Sequence, residues 1–347
     1  MNKNSTSAIG LFSGGLDSWL AALLIKKQGF KVYLLHFSSP YFGYTGKGIE
    51  ELEKKVKEQG MELLIVEPGQ EYLNTVFCAP EYGYGSSKNA CIDCHGYMLK
   101  IAKQKMQELG AEFVFSGEVL GQRPMSQQRR GLGAVEKQSG LKGFLVRPLS
   151  AKLLEPSIPE QNGVLNREML MAISGRGRKD QIALAEKLGL KEFPQPAGGC
   201  KFTDPNLTKR LSKMLDINGN ITWDDLKLLR FSRNFYIGEN IYFYVTREEK
   251  ELALLSKFFD MGIVVEPLSD MPGATGLAVK YDKEGVKQRQ DVSKDILDTL
   301  GRIIARYTKA YQQGSLSVEI CFMSKGELFL KNNYEPFTEQ DLEKYRL

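Results

Sequence analysis

Three groups of residues in this chain are of types and spacings that can do chemistry. Ser13-Gly14-Gly15-Leu16-Asp17-Ser18 joins paired glycines to two hydroxyls and a carboxylate, Cys91-Ile92-Asp93-Cys94 sets two thiols one helical turn apart, and Cys200 follows Gly198-Gly199. Between a strand and a helix, the first group would offer free backbone N–H groups and the positive end of a helix dipole to an anion. Its glycines allow close approach, and its serines add donors. No Gly-Lys-Ser/Thr follows, so the loop is not of the Walker type. A tight turn capped by Asp17 is the competing account. Asp17 also puts a negative charge where phosphates would dock, a conflict that a bridging Mg2+ resolves.

Cys91 and Cys94 open an expected helix, a position that favours thiolate over thiol. Two such thiols can share a metal, form a disulfide or pass a persulfide. With Cys200 they make three, a set that suits a 4Fe-4S cluster with one iron left open, whereas zinc wants a fourth protein ligand. His95 is near in sequence, but its adjacency to Cys94 makes joint ligation awkward. Cys78 and Cys321 read as bystanders, and five cysteines, an odd number, argue against a secreted disulfide framework.

Positioning these groups is the work of alternating strands and helices. Apolar runs predict strands at Ala8–Phe12, Lys31–Phe37, Met61–Val66 and Phe113–Ser116, with helices near Asp17–Gln28, Gly48–Gln59 and Cys91–Leu109, each followed by a C-cap glycine at 29, 60 or 110. Strands joined through helices pair in parallel by right-handed crossovers, so the fold class is α/β, a doubly wound parallel sheet with its ligand site at the carboxyl ends of the strands. Residues 121–143 are Gln-, Arg- and Gly-rich and read as a mobile, substrate-facing segment. A helix over Arg178–Leu188 follows. Beyond Asp216, short strands at Ile241–Thr246, Gly262–Glu266, Leu277–Tyr281, Leu316–Met323 and Glu327–Leu330, with a helix over Val292–Tyr311, predict a separate α+β domain. The expected domains are 1–215 and 216–347.

A chain of 347 residues, 42% hydrophobic and 26% charged, can bury a sizeable core. Its start is too short in apolar residues for a signal peptide or membrane span, so the expectation is a cytoplasmic protein with no membrane partner. Residues 221–347 hold 18 of the 47 Lys+Arg and 20 of the 42 Asp+Glu, which leaves 29 and 22 in residues 1–220. That basic excess is compatible with a polyanionic partner.

Ser13–Ser18 after an N-terminal strand is similar to the PP-loop of the ATP pyrophosphatase superfamily, whose members cleave ATP between the α and β phosphates and transfer AMP to a carbonyl or carboxylate oxygen. That resemblance implies ATP contacts from Ser13, Gly14, Gly15, Leu16, Asp17 and Ser18, and adenine held by backbone near His36 and Phe37; His36 itself reads as a packed histidine. Ser116–Gln122 followed by Ser126-Gln127 resembles the nucleotide-site segment of the tRNA 4-thiouridine synthetase family, which implies Gly117 and Gln122 as further contacts. That family's N-terminal RNA-binding domain has no counterpart here, so its target nucleoside is not carried over. Asn89–His95 resembles the tRNA 2-thiouridylase family, whose motif has Asp where Cys91 stands and the sulfur-handling Cys where Cys94 stands. The departure at Cys91 favours the cluster-dependent branch of tRNA thiolation, with 4Fe-4S on Cys91, Cys94 and Cys200; a persulfide relay is the alternative. Residues 8 to about 205, including Ile173–Lys179, look like PP-loop proteins related to both families.

The resemblance thus implies an ATP- and Mg2+-dependent tRNA sulfurtransferase with Asp17, Cys91, Cys94 and Cys200 catalytic, served by sulfide or a sulfur donor protein. The oligomeric state stays open, a homodimer among the options. Arg147 and Lys152 are candidate cations for the leaving AMP, and residues 121–142 with Arg176, Arg178 and Lys179 are candidates for tRNA phosphates. The rivals are an amidating PP-loop enzyme on a small substrate and a non-catalytic RNA-binding protein, the latter because residues 218–330, with Asp270–Thr275, resemble an RNA-binding domain of ribosome quality-control factors.

Overall fold

The computed structural model describes residues 6–190, 193, 200–268, 271–282, 285–287 and 292–347. The chain divides into two compact units, Met1–Thr203 and Asp204–Leu347. The division falls ahead of residue 215 because the Pro205–Asn218 helix, N-capped by Asp204 and burying Leu207, Leu211 and Met214, is part of the second unit.

In the first unit, β1 (Ser7–Leu11), β2 (Lys31–Phe37), β3 (Glu62–Val66), β4 (Phe113–Ser116) and β5 (Leu145–Val146) form one sheet in the order β3-β2-β1-β4-β5, each neighbouring pair parallel. Parallel neighbours need crossovers, and the helices Leu16–Lys26, Lys47–Glu58, Cys91–Leu109 and Arg129–Ser139 supply them. Leu16, Trp19, Leu20, Ala21, Ala22, Leu24 and Ile25 bury the first helix nearly all round. It lies between the sheet and the Lys179–Lys187 helix, as an all-round apolar helix must. β2 and β3 lie to one side of β1, and β4 and β5 to the other, so the sheet order reverses between β1 and β4. In open parallel sheets, ligands bind outside the carboxyl ends of the strands where the order reverses.

The segment 121–143 differs from expectation, since it contains the Arg129–Ser139 helix with Leu132 and Val135 buried. Gly131 and Gly133 lower helix propensity and hid it from the sequence pattern. Gly131 is required there, because a Cβ would lie 1.8 Å from the Met125 carbonyl oxygen.

The second unit is an antiparallel sheet of β6 (Arg233–Gly238), β7 (Ile241–Val245), β8 (Ile263–Pro267), β9 (Gly276–Asp282), β10 (Gly285–Lys287), β11 (Val318–Ser324) and β12 (Glu327–Tyr334). Its order is β12-β11-β8-β9-β7-β6, with β10 on β9. The Lys294–Arg306 helix puts Ile296, Leu300, Ile303 and Ile304 into the core with Phe243, Val265 and Phe322. Cys321 is buried in β11 of this unit.

Candidate functional site

The Ser13–Ser18 loop leaves the end of β1 and becomes helix at Leu16. Gly14 takes the left-handed conformation at φ +79, which a side chain would strain. Ser18 Oγ donates to the Gly15 carbonyl at 2.8 Å, and Gly15 N–H donates to Ser13 Oγ at 3.3 Å. The loop is therefore preshaped by its own hydroxyls, while the first-turn N–H groups have no intrahelical acceptor. Asp17 points one carboxylate oxygen at Gln122, whose Nε2 donates to it at 3.0 Å across 105 residues of chain. The other, Oδ1, is buried and without a hydrogen-bond partner. An orphaned carboxylate oxygen beside an anion site fits a hard cation such as Mg2+.

Gly117 lies directly against the loop: a Cβ there would come within 2.6 Å of the Ser18 nitrogen and 2.7 Å of the Asp17 carbonyl carbon. Gly117 and Gln122 thus bring the end of β4 onto the phosphate loop. Between them, Glu118 is buried and accepts from Arg147 Nε at 3.0 Å and Ser116 Oγ at 3.0 Å, and pairs with His95 Nδ1 at 2.9 Å. Burial alone would push its carboxyl up, but the Arg147 charge and the His95 contact outweigh it and hold it down at about 2. Phe37 ends β2, with its carbonyl covered by Gly43, where a Cβ would approach to 2.1 Å. His36 is the packed histidine expected: Nε2 accepts from Tyr44 N–H at 2.9 Å, so Nδ1–H donates to the Phe12 carbonyl at 2.9 Å, and burial lowers its pKa.

Cys94 stands next to His95, the partner of Glu118. Cys91 and Cys94 open the Cys91–Leu109 helix, and Asp93 between them is fully buried, accepting from the N–H groups of Glu81 (2.8 Å) and Tyr82 (3.2 Å) and from Gln138 Nε2 (2.9 Å). Asp93 therefore ties the preceding loop to the helix, a function that the spacing of the two cysteines hides. Cys200 precedes the turn Lys201–Thr203, and Lys201 anchors that turn by its N–H to the Tyr41 carbonyl and by Nζ to the Pro40 carbonyl. The turn expected at Pro196–Gly199 lies outside the described residues. At Cys94 the expected thiolate preference is reversed. Burial pushes the Cys94 thiol up to about 12, with the charges of Cys200 and Cys91 adding to the rise, and burial and Cys91 push Cys200 up to about 11. Desolvation outweighs the helix dipole here. Phe202, two residues after Cys200, packs on Phe77 at 4.4 Å between ring centres, and Phe77 packs on Tyr72, whose hydroxyl lies 3.2 Å from Cys94 Sγ. No group of three or more His, Cys, Asp or Glu among the described residues is gathered closely enough to hold a metal ion.

Residues 4–152 match the family model described as thiamine biosynthesis protein (ThiI). The chain is 27% identical over 230 residues to a tRNA-specific 2-thiouridylase of Syntrophomonas wolfei, covering 61% of this chain and 62% of that protein. It is 31% identical over 118 residues to a probable tRNA sulfurtransferase of Methanobrevibacter smithii, covering 32% and 29% respectively. Over these stretches the chain is similar to PP-loop tRNA-thiolation enzymes. It is also 26% identical over 229 residues to a glutamine-hydrolysing GMP synthase of Aeropyrum pernix, covering 64% of this chain and 38% of that protein. The chain thus spans 62%, 29% and 38% of the lengths of these relatives.

The other cations expected around the PP-loop fare differently. Arg147 is buried and committed to Glu118, to Glu136 at 3.2 Å and to the Leu132 carbonyl at 3.0 Å, so it braces the fold and is not offered to a leaving group. Lys152 donates to the Glu168 carbonyl at 2.9 Å and pairs with its carboxylate at 3.3 Å. Arg129 donates to the Leu153 carbonyl at 3.2 Å, whereas Arg123, Arg130, Arg176 and Lys179 are exposed. Ser174 bridges in parallel to Leu120, and Gly175 N–H donates to the Leu120 carbonyl at 2.7 Å, so Arg176 emerges beside the PP-loop's Gly117–Gln122 neighbour. Among the described residues no helix is long and apolar enough to cross a membrane.

Proposed function

We propose that the chain is a cytoplasmic, ATP-dependent tRNA sulfurtransferase that adenylates a base carbonyl and replaces its oxygen with sulfur. The observation that carries this reading is the packing of Gly117 and Gln122 onto Asp17 and Ser18, in a unit that also carries Cys91, Cys94 and Cys200. The base oxygen attacks the α-phosphorus of ATP, the bond to the pyrophosphate oxygen breaks, and an anionic sulfur then displaces AMP from the activated carbon. Loop N–H groups and the Ser13 and Ser18 hydroxyls hold the charge of the departing pyrophosphate, which lowers the barrier to its release. Asp17 Oδ1 would hold Mg2+, which when bound neutralises phosphate charge.

Cys91, Cys94 and Cys200 would hold a 4Fe-4S cluster. When bound, it supplies an iron free of cysteine at which sulfur can reside. Cys91, which stands where the 2-thiouridylase motif has Asp, supports that choice over a Cys94 persulfide relay. Exposed Arg123, Arg130, Arg176 and Lys179 would meet tRNA phosphates, and residues 216–347 would add RNA contacts. Sulfide or a donor protein would supply sulfur, and the working assembly would be a monomer or a homodimer.

The GMP synthase likeness supports a second reading, amidation of a small substrate after the same adenylation. Purified protein with ATP–Mg2+, tRNA and either sulfide or ammonium separates the two. Release of AMP that needs tRNA and sulfide, with thionucleoside found by mass spectrometry of the tRNA, is expected; AMP release that needs ammonium and no tRNA would establish the second. Gly15→Val and Asp17→Ala abolish AMP release while circular dichroism stays native, since neither residue packs in the core.

A further inference from the structure

We propose that Tyr72 is a positioning residue for the sulfur centre, its buried hydroxyl donating a hydrogen bond to Cys94 Sγ beside the Asn89 amide that meets Cys91 Sγ. The inference rests on reading Cys91, Cys94 and Cys200 as that centre. Tyr72 Oη lies 3.2 Å from Cys94 Sγ. Asn89 Nδ2 donates to Cys91 Sγ at 3.1 Å. The two sulfurs at the helix start thus each meet a side-chain donor group, and the two groups come from different segments.

The two side-chain donors are themselves held in place. Asn89 Oδ1 accepts from Ser87 N–H at 3.2 Å, which leaves its amide nitrogen facing the sulfur, and the loop that carries it is tied down by Asp93. The Tyr72 ring is 1% exposed and packed edge-on against Phe77 and Tyr97, with Phe42 tilted beside it. Its short helix, Gln70–Leu73, runs straight into a π-helical turn at Asn74–Cys78, a backbone irregularity of the kind found beside functional sites.

With a neutral thiol, either Tyr72 or Cys94 can be the donor. Once the sulfur is anionic, as a metal-bound thiolate or a persulfide, it has no proton and the tyrosine must donate. In a buried site of low dielectric such a bond to a charged acceptor gains strength, and donors to sulfur are among the factors that set the potential of an iron–sulfur centre. Neutral donors also stabilise sulfur anions without adding a cation that would compete for nucleic-acid phosphates.

Tyr72→Phe keeps the ring and removes only the hydroxyl. After anaerobic reconstitution with iron and sulfide, a redox titration followed by electron paramagnetic resonance is expected to give Tyr72→Phe a more negative midpoint potential than wild type at equal iron content, and Asn89→Leu the same direction of shift. Unchanged potentials at equal iron content would overturn the proposal. If wild-type protein takes up no iron, the cluster reading fails by itself and Tyr72 is then tested on the metal-free chain. Polysulfide transfers one sulfur to Cys94, breaking one S–S bond and forming another, and the persulfidated fraction is read by mass spectrometry. A fall of about tenfold in Tyr72→Phe supports the donor role, and an equal fraction in both proteins overturns it.

Discussion

Glu118 is a carboxylate buried with Arg147, and its worth depends on the partner it would leave behind. Replacing it with Ala strands a buried guanidinium that Glu136 only partly compensates, a change expected to destabilise the chain by about 3–5 kcal/mol. The sign of the pH effect follows from its pKa, which in the folded chain is held at about 2 against an ordinary value of 4.5. A lowered folded value adds stability above pH 4.5 that drains away as pH falls towards 2. Thermal melts of wild type and Glu118→Gln should therefore converge across that window; a gap that stays constant or widens would show that the ion pair is not its source. None of this was legible in Ser116–Gln122 as a string. The motif marks a nucleotide segment, but Glu118 finds Arg147 and His95 only when β4, β5 and the cysteine helix converge.

At the level of elements, the decisive contact is between the turn after β4 and the start of the first helix. Gly117→Ala adds a single methyl, which would sit within 2.8 Å of three backbone atoms of Asp17 and Ser18. Backbone cannot yield as a flexible side chain would, so the loop must shift and the Gln122–Asp17 bond with it. ATP affinity measured by calorimetry is expected to fall at least tenfold while the melting temperature moves by only a few degrees, roughly the effect of 1 kcal/mol. Unaltered affinity would separate the two segments functionally. The four strands and the glycines at or just beyond the ends of the three helices that precede β2, β3 and β4 were readable because period and cap are local properties. The Arg129–Ser139 helix and β6 were not, since two glycines weaken the one and β6 gains its place from pairing with β7.

For the whole molecule, the exposed cations Arg130 and Arg176 bear on how a polyanion would be held. Affinity for tRNA should fall steeply with salt, and Arg130→Ala with Arg176→Ala should each lower the log–log slope by about one unit. A slope that neither substitution alters would remove those residues from the interface, and binding that ignores salt would favour a small-molecule substrate.

The sequence by itself determined the phosphate loop, the parallel α/β sheet and the cysteines worth watching, because helix periods, turn glycines and a strand–loop–helix anion site are written in neighbouring residues. Tertiary structure decided how those pieces act. It joined Gln122 to Asp17 over 105 residues, withdrew Arg147 into a buried ion pair, and set the Tyr72 hydroxyl against Cys94 Sγ and the Asn89 amide against Cys91 Sγ. It also reversed the expected charge at Cys94, since a dipole argument needs only the start of a helix, whereas desolvation depends on everything that packs around it.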